Sequence, residues 1–166
     1  MTRKKHQQLD AAFLDALVMR NKPEIQRLLK LGANVDAKDA EHQQPAIMLA
    51  TMFGDRDTLE SLISEGARVD ARDDQGRTAL FFADVNSEMF ATLLSSGADV
   101  TAVDHDGNSI LMRKVSQSAS VAVVEKLLSL GVDPSLRNND GESALELAIE
   151  LGLVNVIERL RSYESV

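Results

Sequence analysis

LLKLGANVDA (28–37), LISEGARVDA (62–71), LLSSGADVTA (93–102) and LLSLGVDPSL (127–136) are four copies of one phrase, and their reading decides the fold. Their glycines, Gly32, Gly66, Gly97 and Gly131, recur at intervals of 34, 31 and 34 residues. A second phrase follows at a fixed offset: GRTAL (76–80), GNSIL (107–111) and GESAL (141–145), with a degenerate copy, QQPAI (43–47). Two linked phrases recurring in step, at a period of about 33 residues, mark stacked supersecondary units.

Each phrase has a mechanical meaning. In the first, an apolar pair such as Leu93 and Leu94 ends a helix on its buried face. The glycine three residues on supplies the left-handed turn that stops the helix. Val35, Val69 and Val100 then suit an extended segment. In the second phrase, Asp-x-x-Gly makes a tight turn, as in Asp73–Gly76 and Asp104–Gly107. Thr78, Ser109 and Ser143 follow where a helix needs an N-cap, and Glu146 completes a capping box with Ser143. Each unit therefore predicts turn, helix, short turn, second helix and extended loop. Five helix pairs are expected in one domain over 1–166, at about 7–31, 39–66, 73–97, 104–131 and 138–164. The first lacks the turn phrase and suits an N-terminal cap. The last carries Glu158, Arg159 and Arg161 late in its second helix and suits a C-terminal cap.

The combined pattern resembles the ankyrin repeat, whose signature is a tight glycine turn, then Thr-Pro-Leu-His, then Leu-Leu-x-x-Gly-Ala. The likeness covers roughly residues 8–162 and is nearest in GRTALFFA (76–83) and GESALELAIELGLVNVIERL (141–160). It implies an all-α solenoid of about five stacked helix-turn-helix units with short β-turn or extended loops. It also implies a non-enzymatic protein–protein interaction module, an adaptor or inhibitor, that binds a partner through its concave face. An immunity-type inhibitor that neutralises a toxin or enzyme is the alternative version. An enzyme or a passive spacer are the remaining classes.

In the family, that face is built from turn tips and the exposed ends of first helices. The tips here are Asp39, Glu41, His42 and Gln44, then Arg72, Asp74, Gln75 and Arg77. They continue with Val103, His105, Asp106 and Asn108, then Arg137, Asn139, Asp140 and Glu142. The helix ends offer Val18 and Met19, Met52 and Phe53, Val85 and Asn86, Ser116 and Gln117, and Glu150 and Leu151. Met19, Met52 and Phe53 are the apolar anchors of an interface centred on unit two, or else they pack between units.

The departures from the signature are individual to this chain. The His position of Thr-Pro-Leu-His holds Met48, Phe81, Met112 and Glu146, so the Thr-to-His hydrogen bond implied by the resemblance is lost in every unit. Unit three is two residues short between Ala83 and Leu93, with Asn86-Ser87 in place of Gly-His. Unit four has an extra residue around Ser116–Ser120 and puts Lys114 where a small buried Ala is usual. A buried unpaired ammonium is costly, so Lys114 is expected to snorkel or to pair with a carboxylate. These changes fit neutral drift in a tolerant scaffold, or a surface reshaped for one partner.

Composition bounds the remaining classes. Hydrophobic residues make up 44% of the 166-residue chain, enough for a packed core, whereas aromatics are only 4%, so Leu, Ile, Val, Ala and Met must build it. The net charge of −8 disfavours nucleic acid and favours a partner with a basic surface, besides keeping the chain in solution. With no cysteine, disulfides, thiolate catalysis and Cys-based zinc sites are excluded. His6, His42 and His105 follow no nucleophile-elbow pattern, and no catalytic residue is assigned. Asp104–Asn108 superficially suggests a Ca²⁺ loop, but the third ligand before the glycine and the glutamate at position twelve are missing; Val115 stands there. No metal and no cofactor are expected. No membrane span or leader is visible, Lys4-Lys5 reads as a solvated tail, and a cytoplasmic monomer is expected, with a removed leader left open.

Overall fold

A two-helix unit of about 33 residues exposes too much apolar surface to stand alone, so its neighbours must cover it. The computed structural model, which describes residues 3–117 and 119–164, shows this arrangement. The chain runs α1 (Arg3–Val18), α2 (Lys22–Lys30), α3 (Ala46–Met52), α4 (Arg56–Ser64), a 3₁₀ turn (Ala79–Phe81), α5 (Glu88–Ser95), α6 (Ile110–Ser116), α7 (Val121–Ser129), α8 (Ala144–Glu150) and α9 (Val154–Glu164). Among the described residues there is no sheet, only isolated bridges at Lys38–Pro45 and Val103–Ser109. The pairs α1–α2, α3–α4, α6–α7 and α8–α9 pack as hairpins. First helices stack on first helices, as α1 on α3 and α6 on α8, and second helices on second, as α4 on α5 and α7 on α9. One continuous core results, carried by buried residues such as Phe13, Ile47, Leu59, Leu80, Phe90, Leu111, Leu127 and Ala148.

Local signals set the helix ends. Asn21, Asp55, Ser87, Ser109 and Ser120 each accept a backbone N–H from the first turn of the following helix. Ser143 and Glu146 form the expected capping box, which holds the Glu146 carboxyl down to about 2. At the other end, Gly97 sits at φ 90°, its N–H bonds to Leu94 O, and the Ala98 N–H reaches back to Leu93 O. That paired closure needs a left-handed residue, which is why glycine closes the leucine phrase. The sequence places the start of the first pair near residue 7; instead α1 begins at Arg3, so Lys4 and Lys5 are exposed helical residues rather than a tail.

Unit three departs from its expected helix pair. Its first helix shrinks to the single 3₁₀ turn, because the two missing residues force the chain to turn early. The Asp84 carboxylate accepts the Asn86 N–H (2.8 Å), and Asp84 O accepts the Ser87 N–H (2.9 Å). The carbonyls that a longer helix would have used are taken up from outside. Lys114 donates to Ala83 O (2.8 Å) and Phe81 O (3.1 Å), so among the described residues the half-buried lysine is met by carbonyls of the preceding unit and not by a paired carboxylate. Burial pushes its ammonium below the usual lysine range, with Arg113 adding to the effect and Asp84 opposing it.

Thr78 also departs from expectation: it caps nothing, and its Oγ1 is buried without a hydrogen-bond partner among the described residues. The reason lies in the signature, since Phe81 occupies the place where the family's histidine would stand.

Two stability predictions follow from unit three. Replacing Thr78 by Val removes an orphaned hydroxyl at nearly constant shape, so denaturation should show no loss, and a gain of up to about 1 kcal/mol. Lys114→Ala strands two buried carbonyls and should cost about 2 kcal/mol, with faster amide exchange across residues 79–90. An unchanged midpoint for the lysine variant would contradict its bridging role.

Candidate functional site

The turns between units form a row of fingers, and one acidic or amide side chain shapes each of the last three. Asp73 Oδ1 accepts the amides of Gln75 (3.0 Å) and Arg77 (2.9 Å). Asp104 Oδ1 does the same for Asp106 (3.0 Å) and Asn108 (2.8 Å), and Asn138 Oδ1 for Asp140 (3.1 Å) and Glu142 (2.9 Å). This explains the Asp/Asn-x-x-Gly spacing: the side chain satisfies amides that a tight turn would otherwise leave open. Unit two has one residue more between Asp39 and Pro45 than unit three has between Asp73 and Thr78, which alters the pattern. Asp39 accepts from His42 instead (2.7 Å), and Gln43 takes the left-handed position at φ 53° where the other fingers use glycine.

Backbone bonds join finger to finger. The Asp74 N–H donates to His42 O (3.1 Å), the His105 N–H to Gln75 O (2.8 Å) and the Asn139 N–H to Asp106 O (2.8 Å). Side chains reinforce the row: Lys38 reaches Arg72 O (2.7 Å), Arg72 reaches Val103 O, and Asn139 reaches His105 O (3.0 Å). The His105 ring lies against Gly76, where an added Cβ would sit 2.4 Å from Cδ2. Gly76 is thus required by close approach as well as by its positive φ.

Of the finger residues read from sequence, Glu41, His42, Asp74, Gln75, His105, Asp106, Asn139 and Asp140 are exposed. Arg77, Asn108 and Glu142 are half-buried and already engaged. Arg77 pairs with the buried Asp73 and lies 4.8 Å from the Phe82 ring centroid. Asn108 bonds Asp104 and Asn138, and Glu142 accepts from Asn138. Gln44 is buried, because its carbonyl closes the unit-two finger on the Asp39 N–H.

At the helix ends, Met19 is 78% exposed, Val18 57% and Met52 45%. Phe53 is half-buried, with the Arg20 guanidinium 5.5 Å from its ring centroid. Asn86, Ser116, Gln117 and Glu150 are exposed too. Val85 is not: the short unit draws it inward beside Phe82, Lys114 and Val123 around a hollow of about 300 Å³. In unit five Leu151 is exposed as expected, and it is joined by Ile149 and by Val154, which is 64% exposed. Sequence reasoning passed over these two, which flank the Gly152 turn between α8 and α9, where Glu150 and Leu151 are the counterparts of Met52 and Phe53.

Among the described residues no three His, Asp or Glu side chains converge as metal ligands. The Asp104 carboxylate, the start of the superficial Ca²⁺ pattern, is spent on its own turn. No described helix is long and apolar enough to cross a membrane.

Comparison with known proteins places these features in a family. The family model described as ankyrin repeats (3 copies) matches residues 14–104 and 84–165. Over 70 residues, 42% of this chain, the sequence is 34% identical to alpha-latroinsectotoxin-Lt1a of Latrodectus tredecimguttatus, of which the match spans 5%. Over 95 residues, 55% of this chain, it is 32% identical to the putative E3 ubiquitin-protein ligase XBAT34 of Arabidopsis thaliana, of which the match spans 25%. The chain therefore corresponds to a small part of each of these longer relatives. Ankyrin repeats bind other proteins and are in general not enzymes. With the recurrent phrases, the stacked helix pairs and the finger row in place, the chain belongs to the ankyrin-repeat family.

Proposed function

We propose that this interaction module works as an adaptor or inhibitor, holding one partner protein along the finger tips and the ends of the first helices. The observation that carries this is the apolar group at the start of the solenoid: Met19 and Met52 stand open to solvent, with Phe53 beside them under Arg20. An exposed methionine and an accessible aromatic edge release most binding free energy when a partner covers them. Charged and polar residues are exposed elsewhere along the units, Glu41, His42, Asp74 and Gln75 on the fingers and Asn86 at the unit-three turn. Such residues contribute less to affinity than the centre, but they set register and exclude water. The net charge of −8 favours a partner whose facing surface is basic, and it accelerates encounter at low salt. His105, Asp106, Asn139 and Asp140 extend the contact along the later units, while Arg77, Asn108 and Glu142 act through the fingers they brace.

The test is a Met52→Ala/Phe53→Ala double variant in a calorimetric titration against a partner captured by the wild-type chain. Affinity should fall tenfold or more while far-ultraviolet dichroism stays helical. Equal affinity of variant and wild type would remove this surface from the account. The salt dependence gives a second reading: a basic partner should bind more slowly as ionic strength rises, whereas an association rate indifferent to salt would argue against one.

A further inference from the structure

The finger row is directional, and its first step is open. At each of three joints the amide one residue after the turn-shaping Asp or Asn donates to the preceding finger: Asp74, His105 and Asn139 follow Asp73, Asp104 and Asn138. The equivalent of these three in unit two is Ala40, because Asp39 makes the same finger-closing bond, its N–H to Gln44 O, that Asp73 makes to Arg77 O. The Ala40 N–H donates to nothing among the described residues, and no described finger precedes it.

Beside it lies an open groove of about 780 Å³ between α1 and the loop that leads into the first finger. Leu14 supplies an apolar floor, while Asp10, Asp15 and Asp39 stand around it, and Ala40 is part of its wall. The one lysine there, Lys38, has its ammonium on Arg72 O of the next unit, and Asp36 is already paired with Arg68. Asp15 makes no hydrogen bond or ion pair through its carboxylate among the described residues. The groove thus combines an unused backbone donor, apolar footing and uncompensated negative charge.

We propose that this groove takes an extended, lysine- or arginine-bearing segment of a partner protein, which supplies the missing first rung of the finger row. A carbonyl of the segment accepts the Ala40 N–H, as His42, Gln75 and Asp106 carbonyls do at the later joints. Its basic side chains reach Asp15 and Asp39, and alternate apolar ones rest on Leu14. Extended segments bind sheet and turn edges through such main-chain bonds, with side-chain pockets adding selectivity. This site is separate from the Met52–Phe53 surface, and either can fail without the other.

The probe is a synthetic ten-residue peptide alternating lysine and valine, blocked at both ends, titrated into ¹⁵N-labelled whole chain, with a glutamate-for-lysine peptide as control. The lysine peptide should shift and protect the Ala40 amide, and the glutamate peptide should not. Ala11→Arg, which fills the groove from an exposed position on α1, and Asp15→Lys should each weaken binding at least tenfold with the helical spectrum unchanged. A still Ala40 amide, equal binding of the two peptides, indifference to both substitutions, or an Ala40 shift produced by self-association alone would each overturn the proposal.

Discussion

Every structural feature of this protein depends on neighbours covering one another. A pair of helices with seven to nine residues apiece cannot offset its own ordering entropy. Stacking changes this, because Ile47, Leu80 and Leu111 become interior residues only when the flanking units are in place. The finger row expresses the same coupling in hydrogen bonds. Each joint satisfies an amide of one unit with a carbonyl of the last, so no unit completes its backbone pairing alone. A row of this kind has ends, and the ends are where unsatisfied groups and open apolar surface accumulate.

Unit three shows how far the coupling can compensate for a poor local sequence. It has lost two residues, its first helix and its N-cap, and it buries an unpaired Thr78 hydroxyl. It remains in register because unit four reaches back, with Lys114 serving two of its carbonyls, and unit two reaches forward through Lys38 to Arg72 O. Placing a lysine where a small residue would normally lie therefore reads as repair of the neighbouring unit. The cost of desolvating the ammonium is offset by carbonyls that would otherwise have gone unsatisfied.

The architecture was legible in the sequence because its determinants are local and repeated. Gly97 must be left-handed, Ser109 and Ser143 cap, and Asp73 and Asp104 fold turns, all within a few residues of themselves. What could not be read was whatever depends on the neighbouring unit. Thr78 has the place of a cap but precedes only one 3₁₀ turn, and Lys114, expected to snorkel or to pair with a carboxylate, meets carbonyls of the preceding unit instead. The exposed tips were recoverable as a class, since turn residues point outward. The inward turn of Arg77 onto Phe82 and of Asn108 onto Asn138 depends on contacts with no sequence signature. The open amide of Ala40 became visible only when three later joints supplied the rule that it breaks.

Native-state hydrogen exchange at Asp74, His105 and Asn139 tests the interdependence of the units most directly. Their amides sit in exposed turns, so they should exchange freely unless the joints form in solution. The account predicts protection comparable to that of the helices they join, lost together with those helices as denaturant is added. Exchange of these three amides at the rate of unstructured peptide, with the helices still protected, would contradict it.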